Sequence, residues 1–213
     1  MTRAFAAAIL AALLASASPV ACANEDMTPQ AASDDARGRL ARPAVLRGSF
    51  EQRKQLQGFK NPLLSRGRFL LLRDRGVIWD TTEPFASSTV LTRDRLLTRQ
   101  PDGSTRVVLD AAVSPAMASV NSLLLALVAG DLDALAPQFE INEDRLPDGR
   151  WQLRLHPRDA GLQRVFRVIE LRGDEHVDEV ALEETGGDHT TLRFLELSDE
   201  PATASPAEAA RFD

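Results

Sequence analysis

Hydrophobic and polar residues alternate along most of the chain after residue 45. From Trp151 to His156 apolar and polar side chains alternate at successive positions, a pattern typical of strands with one buried face. Short segments of this kind are separated by turn-forming pairs such as Asp102-Gly103. The pattern predicts an antiparallel meander with strands at residues 45–52, 66–73, 77–81, 89–92, 95–99, 106–109, 139–141, 151–156, 166–171, 177–182 and 190–197.

A stretch with helical spacing interrupts this meander near its middle. Ser114-Pro115 is a typical helix start, and Gly130 is suited to end the helix as its C′ residue. Asp131 is a suitable N-cap for a second short helix over residues 131–136. The first helix is predicted at residues 116–129, with apolar residues at helical spacing: Met117, Val120, Leu124, Leu127 and Val128.

The predicted inner face of the sheet carries too many large apolar residues, and the chain too few helices, for a thin two-layer packing. Two arrangements remain. Either the sheet closes into a barrel, or the helical stretch lies across its open side. Both create a concave apolar interior in which a greasy ligand fits.

The N-terminus has the features of a secretory signal peptide. Arg3 precedes an apolar run, Ala4–Ala15, which is followed by small residues up to Ala23. The run is shorter than the about 20 residues that a membrane span needs. We therefore expect residues 1–23 to be a signal peptide, residues 24–44 a flexible segment or short helix beginning after Ser33, and residues 45–213 the folded domain.

The single cysteine, Cys22, leaves two interpretations of this N-terminus open. Ala21-Cys22-Ala23 has the small-x-small pattern of signal cleavage, which would remove Cys22 and leave a soluble chain starting at Asn24. Alternatively, Cys22 is a lipid attachment site and anchors the mature protein in a membrane. Pro19 stands where a lipobox usually has Leu, and this favours the first interpretation.

Charge and motif content exclude several classes of function. The formal net charge of −6 argues against nucleic acid as a partner, since phosphate binding needs a concentrated basic face. His156, His176 and His189 each stand alone, without metal-ligand spacing, and we expect all three at the surface. The sequence contains no nucleophile-elbow or phosphate-binding motif. We therefore expect no enzymatic activity, no catalytic residues, no cofactor and no metal.

Several segments resemble the family of the outer-membrane lipoprotein carrier LolA. The first half carries Gly48-Ser49-Phe50-Glu51-Gln52, Gly67-Arg68-Phe69 and Gly76-Val77-Ile78-Trp79 with Pro84, and the second half is similar at residues 151–157, 166–171, 190–194 and 208–212. The resemblance implies an unclosed antiparallel half-barrel, mainly β, with a helical lid over its concave apolar face. It implies a monomeric periplasmic chaperone of a Gram-negative bacterium that shelters lipoprotein acyl chains in transit to the outer membrane. Its partners would be an inner-membrane release complex and an outer-membrane acceptor.

The same resemblance suggests the residues of a ligand site. The cavity-lining candidates are Phe50, Phe69, Leu71, Trp79, Leu91, Leu124 and Leu127. Arg73 matches an arginine that holds the lid in the family, although Asp74 stands where the family has Pro, and an ordinary hairpin arginine is the alternative. The matches are spread and modest, so we expect a divergent paralogue whose cargo is a lipoprotein or another lipid. Lipidation at Cys22 would instead make it an acceptor similar to LolB, which shares this fold.

Overall fold

The computed structural model of the protein describes residues 34–100, 102, 104–110 and 125–213. Eleven antiparallel strands form one sheet, in the order β6-β5-β4-β3-β2-β1-β11-β10-β9-β8-β7. The strands are β1 (Val45–Gln55), β2 (Leu63–Leu72), β3 (Gly76–Glu83), β4 (Ser87–Thr92), β5 (Arg95–Arg99), β6 (Thr105–Asp110), β7 (Phe139–Arg145), β8 (Trp151–Pro157), β9 (Phe166–Gly173), β10 (Val177–Glu184) and β11 (His189–Ser198).

The sheet consists of two meanders joined at its centre. Within each meander, neighbours in the sheet are also neighbours in sequence, as the alternating pattern predicts. β1 and β11 form the seam between them, with Phe50 opposite Phe194. β6 and β7 lie at the two ends of the order and do not pair with each other. The expected mainly β, unclosed antiparallel architecture is confirmed, and closure into a barrel is not found in the described part of the chain.

Short helices accompany the sheet. The helix expected after Ser33 is present, and the predicted helical stretch is helical wherever it is described. Gly130 ends that stretch with a positive φ of 61°, and Asp131 caps the next helix by accepting a hydrogen bond from the backbone N–H of Ala134. The helices are α1 (Asp34–Arg39), α2 (125–129), α3 (Leu132–Leu135), α4 (Ala160–Gln163) and α5 (Pro206–Ala210).

The inner face of the sheet is the face covered by α1, α2 and α3. Alternate residues of the strands point to it and form one continuous apolar cluster with the helices. Ala36 of α1, Ala126 and Leu127 of α2, and Leu132 and Leu135 of α3 are all buried in this cluster. Of the predicted helical stretch, the described residues 125–129 therefore pack on the inner face of the sheet, and a lid across the open side stays a prediction.

The opposite, outer face is apolar only over the first meander, where the C-terminal strap (residues 199–213) covers it. Phe212 is 4% exposed and belongs to a second cluster, which Ala204 also contacts. The alternating pattern of the sequence did not predict α5 in this Pro- and Ala-rich tail. The strand residues of the outer cluster are Val45, Leu70, Leu72, Ile78, Val90 and Leu97.

Arginines on the sheet fasten the strap. The Arg47 guanidinium donates to both carboxylate oxygens of Glu208, at 2.8 and 3.0 Å. Arg75 donates to the carbonyl of Ala209, and Arg99 to the carbonyl of Arg211 at 3.0 Å. The Arg211 side chain in turn donates to Asp80. Polar contacts therefore surround the buried Phe212 ring and fix the strap in register with the strands.

Over the second meander the outer face is polar and is stabilised by ion pairs between neighbouring strands. Arg172 on β9 bonds Glu170 on the same strand and Glu179 on β10, at 3.1 and 3.0 Å. Arg193 on β11 also bonds Glu179, at 3.0 Å. Each such pair between neighbouring strands contributes about 0.2–1 kcal/mol to stability. This half of the outer face therefore stays in contact with water.

Acid should loosen the strap through Glu208. The hydrogen bonds from Arg47 lower the pKa of Glu208 from 4.5 to about 2. Because the folded state favours the ionised form, this contribution to stability is complete above pH 4.5 and is lost as the pH falls towards about 2. The difference in free energy of unfolding between the wild type and Glu208→Gln should therefore shrink between about pH 6 and about pH 2.5. Urea unfolding at each pH measures it, and Arg47→Gln should reduce the same pH dependence, leaving the part that the Ser205 hydrogen bonds to Glu208 contribute. An unchanged difference at low pH would contradict this assignment.

Candidate functional site

Four aromatic rings meet on the inner face near the seam. Phe50 on β1 contacts Trp79 on β3, with ring centroids 4.2 Å apart, and Phe69 on β2 packs edge-on against Phe194 on β11 at 5.0 Å. Trp79 also approaches Phe194 at 5.9 Å. Phe50, Phe69 and Phe194 are at most 5% exposed, whereas Trp79 remains partly exposed. This aromatic cluster is a large apolar surface with one accessible ring.

Glycines on neighbouring strands create the space for these rings. Gly67 lies opposite Phe50, and Gly48 lies opposite Phe69. A Cβ atom on Gly67 would lie 2.8 Å from the Phe50 ring and 1.9 Å from the backbone carbonyl oxygen of Asp80. A Cβ on Gly48 would likewise lie 2.8 Å from the Phe69 ring. The two Gly-x-Phe segments thus fit together reciprocally, each glycine beneath the phenylalanine of the other strand.

The structure brings most of the predicted cavity-lining residues to this face. Phe50, Phe69, Leu71, Leu91 and Leu127 are all buried in the inner cluster, and Trp79 packs against it. Leu124 lies outside the described residues.

Phe194 was missed as a site residue, although the alternation of residues 190–194 places it on the same face as Thr190 and Leu192. Its partners could not be read from the sequence, because they depend on the pairing of β1 with β11.

Arg73 lies at the end of β2, beside the helical stretch that it was predicted to contact. Its Nε donates to the carbonyl oxygen of Pro43 at 3.1 Å. It lines a small pocket together with Val128 and Ala129 of α2, and with Leu46 and Leu71 of the first meander. In the described part of the chain, no hydrogen bond joins Arg73 to the helical stretch, and its role in holding a lid stays a prediction.

The pocket beside Arg73 is small, with a cavity volume of about 10 Å³, which is room for about one water molecule. Its other walls are the linker residues Leu40, Ala41 and Pro43, together with Val177 of β10 and His176. Burial lowers the pKa of Arg73, and the neighbouring Asp131 carboxylate partly opposes this effect. A guanidinium stays charged in proteins, so the pocket combines apolar walls with one permanent cation.

His176 corrects an expectation from the sequence. His156 and His189 are exposed as expected, but His176 is partly buried, and its Nε2 atom is inaccessible to solvent without a hydrogen-bond partner. The turn between β9 and β10 folds the ring back against the linker, and its carbonyl oxygen accepts the N–H of Asp174. This residue is therefore less exposed than expected, because turn geometry, which a lone histidine does not reveal, decides its burial.

Within the described ranges, no three His, Cys, Asp or Glu side chains are grouped closely enough to hold a metal ion. The same ranges contain no helix whose length and hydropathy would let it cross a membrane. The described inner face is therefore an apolar surface, and the Arg73 guanidinium lies at its edge.

The amino-acid sequence matches one family of known proteins. A sequence model of the family described as outer membrane lipoprotein carrier protein LolA-like matches residues 27–205. No curated protein matches the chain.

Solved structures with similar folds are more distant. A LolA superfamily protein from Nitrosomonas europaea is 12% identical over 84% of this chain and 99% of that one, with a TM-score of 0.44. A DUF1329 family protein from Desulfovibrio piger is 10% identical over 80% and 90% of the two chains, with a TM-score of 0.45. Family membership therefore rests on the sequence match alone.

The reciprocal glycines give a direct test of the aromatic cluster. Gly67→Ala should lower the free energy of unfolding by about 2–3 kcal/mol, because the added methyl group overlaps the Asp80 carbonyl and the Phe50 ring. Gly186→Ala is the matched control, since a Cβ there meets nothing within 4 Å. Urea unfolding followed by tryptophan fluorescence provides the measurement. Equal losses in the two variants would show that Gly67 has no special steric role.

Proposed function

The chain belongs to the LolA-like family of outer membrane lipoprotein carrier proteins, and from that membership we propose that it is a periplasmic carrier of acylated cargo. It would shelter the acyl chains of lipoproteins, or of another lipid, in transit to the outer membrane. The observation that carries the proposal is the inner face, a continuous apolar surface covered by short helices rather than by a second sheet.

Acyl chains need such a surface to cross an aqueous compartment. Each CH₂ group removed from water contributes about 0.8 kcal/mol, so a long chain does not leave a membrane at a useful rate without shelter. The aromatic cluster and the aliphatic residues around it offer contacts without directional requirements. This suits a carrier that must accept chains attached to many different proteins.

A carrier must also release its cargo, and the packing of α2 and α3 suggests how. Ala126, Leu127, Leu132 and Leu135 now occupy the inner face that the cargo would use. The helical stretch and the acyl chains would compete for the same strand residues. Binding would then require the stretch to move outward, and its return would favour release. The arrangement described here would be the closed, unloaded form.

Acylated peptide should bind at the aromatic cluster. The chain contains two tryptophans, of which Trp79 belongs to this cluster and Trp151 to the second meander. In a Trp151→Phe variant, a synthetic peptide with an acylated N-terminal cysteine should shift the Trp79 emission. The unacylated peptide of the same sequence should leave the emission unchanged.

The reciprocal variant, Trp79→Phe, serves as the control for this titration. It should form the same soluble complex by size exclusion, with a smaller change in emission. If the acylated peptide neither changes the Trp79 emission nor co-elutes with the protein, the carrier function is wrong.

The alternative function is that of a membrane-anchored acceptor lipidated at Cys22. The position of Cys22 beside the predicted cleavage site is the observation that favours it. The mass of the denatured protein from its native periplasm decides between the two. We expect a chain that starts at Asn24, in agreement with a soluble carrier, and a diacylated Cys22 as the first residue would establish the acceptor instead. Native mass spectrometry of the same sample would reveal co-purified cargo.

A further inference from the structure

The pocket beside Arg73 has features that a purely apolar cargo does not require. We propose that it binds the anionic head group, a carboxylate or a phosphate, of an amphiphile whose acyl chain lies on the inner face. The inference rests on the proposed carrier function and specifies the chemistry of the cargo.

The geometry of Arg73 is suited to an incoming anion. Its backbone N–H donates to the carbonyl of Ala44, and its Nε donates to the carbonyl of Pro43, so the side chain is held in place. These bonds leave the two terminal nitrogens, and in the described part of the chain neither has a hydrogen bond or an ion pair. A guanidinium positioned in this way presents a planar pair of donors that matches carboxylate and phosphate oxygens.

The acidic groups around Arg73 and its neighbour Arg42 are already engaged. The Asp131 carboxylate caps α3 by accepting the N–H of Ala134 at 3.2 Å. Asp133 bonds Arg42 at 2.9 Å and lies 3.5 Å from Arg37. The nearby carboxylates thus have hydrogen-bond donors of their own, and the terminal nitrogens of Arg73 are left for a ligand.

His176 adds an unsatisfied polar atom to the same pocket. Its Nε2 is buried without a partner in the described structure, which is uncommon in proteins and costs free energy. An anionic head group that accepts from Arg73 would bring oxygen atoms to the wall that contains this ring. The pocket therefore joins a cation and a potential second donor.

The apolar walls of the pocket continue into the inner cluster. Leu46 and Leu71 line the pocket and are buried members of that cluster, and Val128 packs against it from α2. A head group held at Arg73 would therefore direct its chain along β1 and β2, towards Phe50 and Phe69. In the closed form the pocket is too small for a head group, so binding would require α2 to move outward and make room for both the head group and the chain.

Three ligands with the same 16-carbon chain test the inference: hexadecanoate, hexadecyl phosphate and hexadecanol. Each is supplied to the full-length mature protein from a cyclodextrin complex, because the alcohol alone is nearly insoluble in water, and its affinity is measured by displacement of a bound apolar fluorescent probe. We expect the wild type to bind at least one of the two anions about tenfold more tightly than the alcohol, the gain typical of a charge-assisted contact. The anion that binds more tightly identifies the head group.

Variants of one hairpin separate the head-group site from general lipid binding. Arg73→Gln should bind the anions about tenfold more weakly, to the level of the alcohol, while its affinity for the alcohol stays unchanged. Arg73→Lys should restore part of the preference. Arg75→Gln makes the same change in charge two residues away, where the side chain faces the C-terminal strap, and should keep the full preference.

The outcomes distinguish this inference from the carrier function. Equal affinity of the wild type for acid, phosphate and alcohol would overturn the head-group site and keep lipid binding. A preference that persists in Arg73→Gln would also overturn it. No binding of any of the three ligands, together with no binding of acylated peptide, would overturn both. Circular dichroism of each variant establishes that it is folded.

Discussion

The close approach of aromatic rings to strand backbones is the constraint on which the inner face depends. Phe50 reaches Trp79 across β2 because Gly67 has no side chain, and Phe69 lies over Gly48 in the same way. Trp151 repeats the arrangement in the second meander, where a Cβ on its cross-strand partner Gly173 would lie 2.8 Å from the ring. Aromatic rings packed this closely against strand backbones give the sheet a broad apolar inner surface. The Gly-x-Phe segments that suggested the family are therefore explained by packing.

The two faces of the sheet are stabilised by different means, and this division leaves the inner face available for binding. On the outer face, the strap closes the apolar half with a buried ring and arginine contacts, and ion pairs cover the polar half. Of the helices on the inner face, α1 and α3 are short, and helices of this length have low stability in isolation. Under the proposed carrier function, the side of the sheet on which motion would be needed is therefore the side with the weaker internal support.

The sequence predicted the strands, the end of the helical stretch at Gly130 and the cap at Asp131, because alternation and capping are local properties. The family resemblance suggested Phe50, Phe69 and Trp79 as cavity-lining residues, and the structure places all three on the inner face. The sequence did not predict the strap, because a Pro- and Ala-rich tail with one aromatic residue shows no periodic pattern of hydrophobic positions. Phe194 and His176 were missed as parts of the site for a related reason. Their surroundings come from strands distant in sequence, and no local pattern encodes those contacts.

The strand order has a consequence for how the protein reaches its folded state. Both meanders contain only pairings between strands consecutive in sequence, whereas the β1–β11 seam joins residues about 140 positions apart, such as Phe50 and Phe194. Loop closure makes such distant pairings slow, so the hairpins can form early and the seam only after β11 is present. Until then β1, in the middle of the finished sheet, is an exposed edge with an apolar face, the type of surface on which chains aggregate. A chain that emerges through a membrane from its N-terminus would expose this edge for most of its passage, and its yield would depend on protection during that interval.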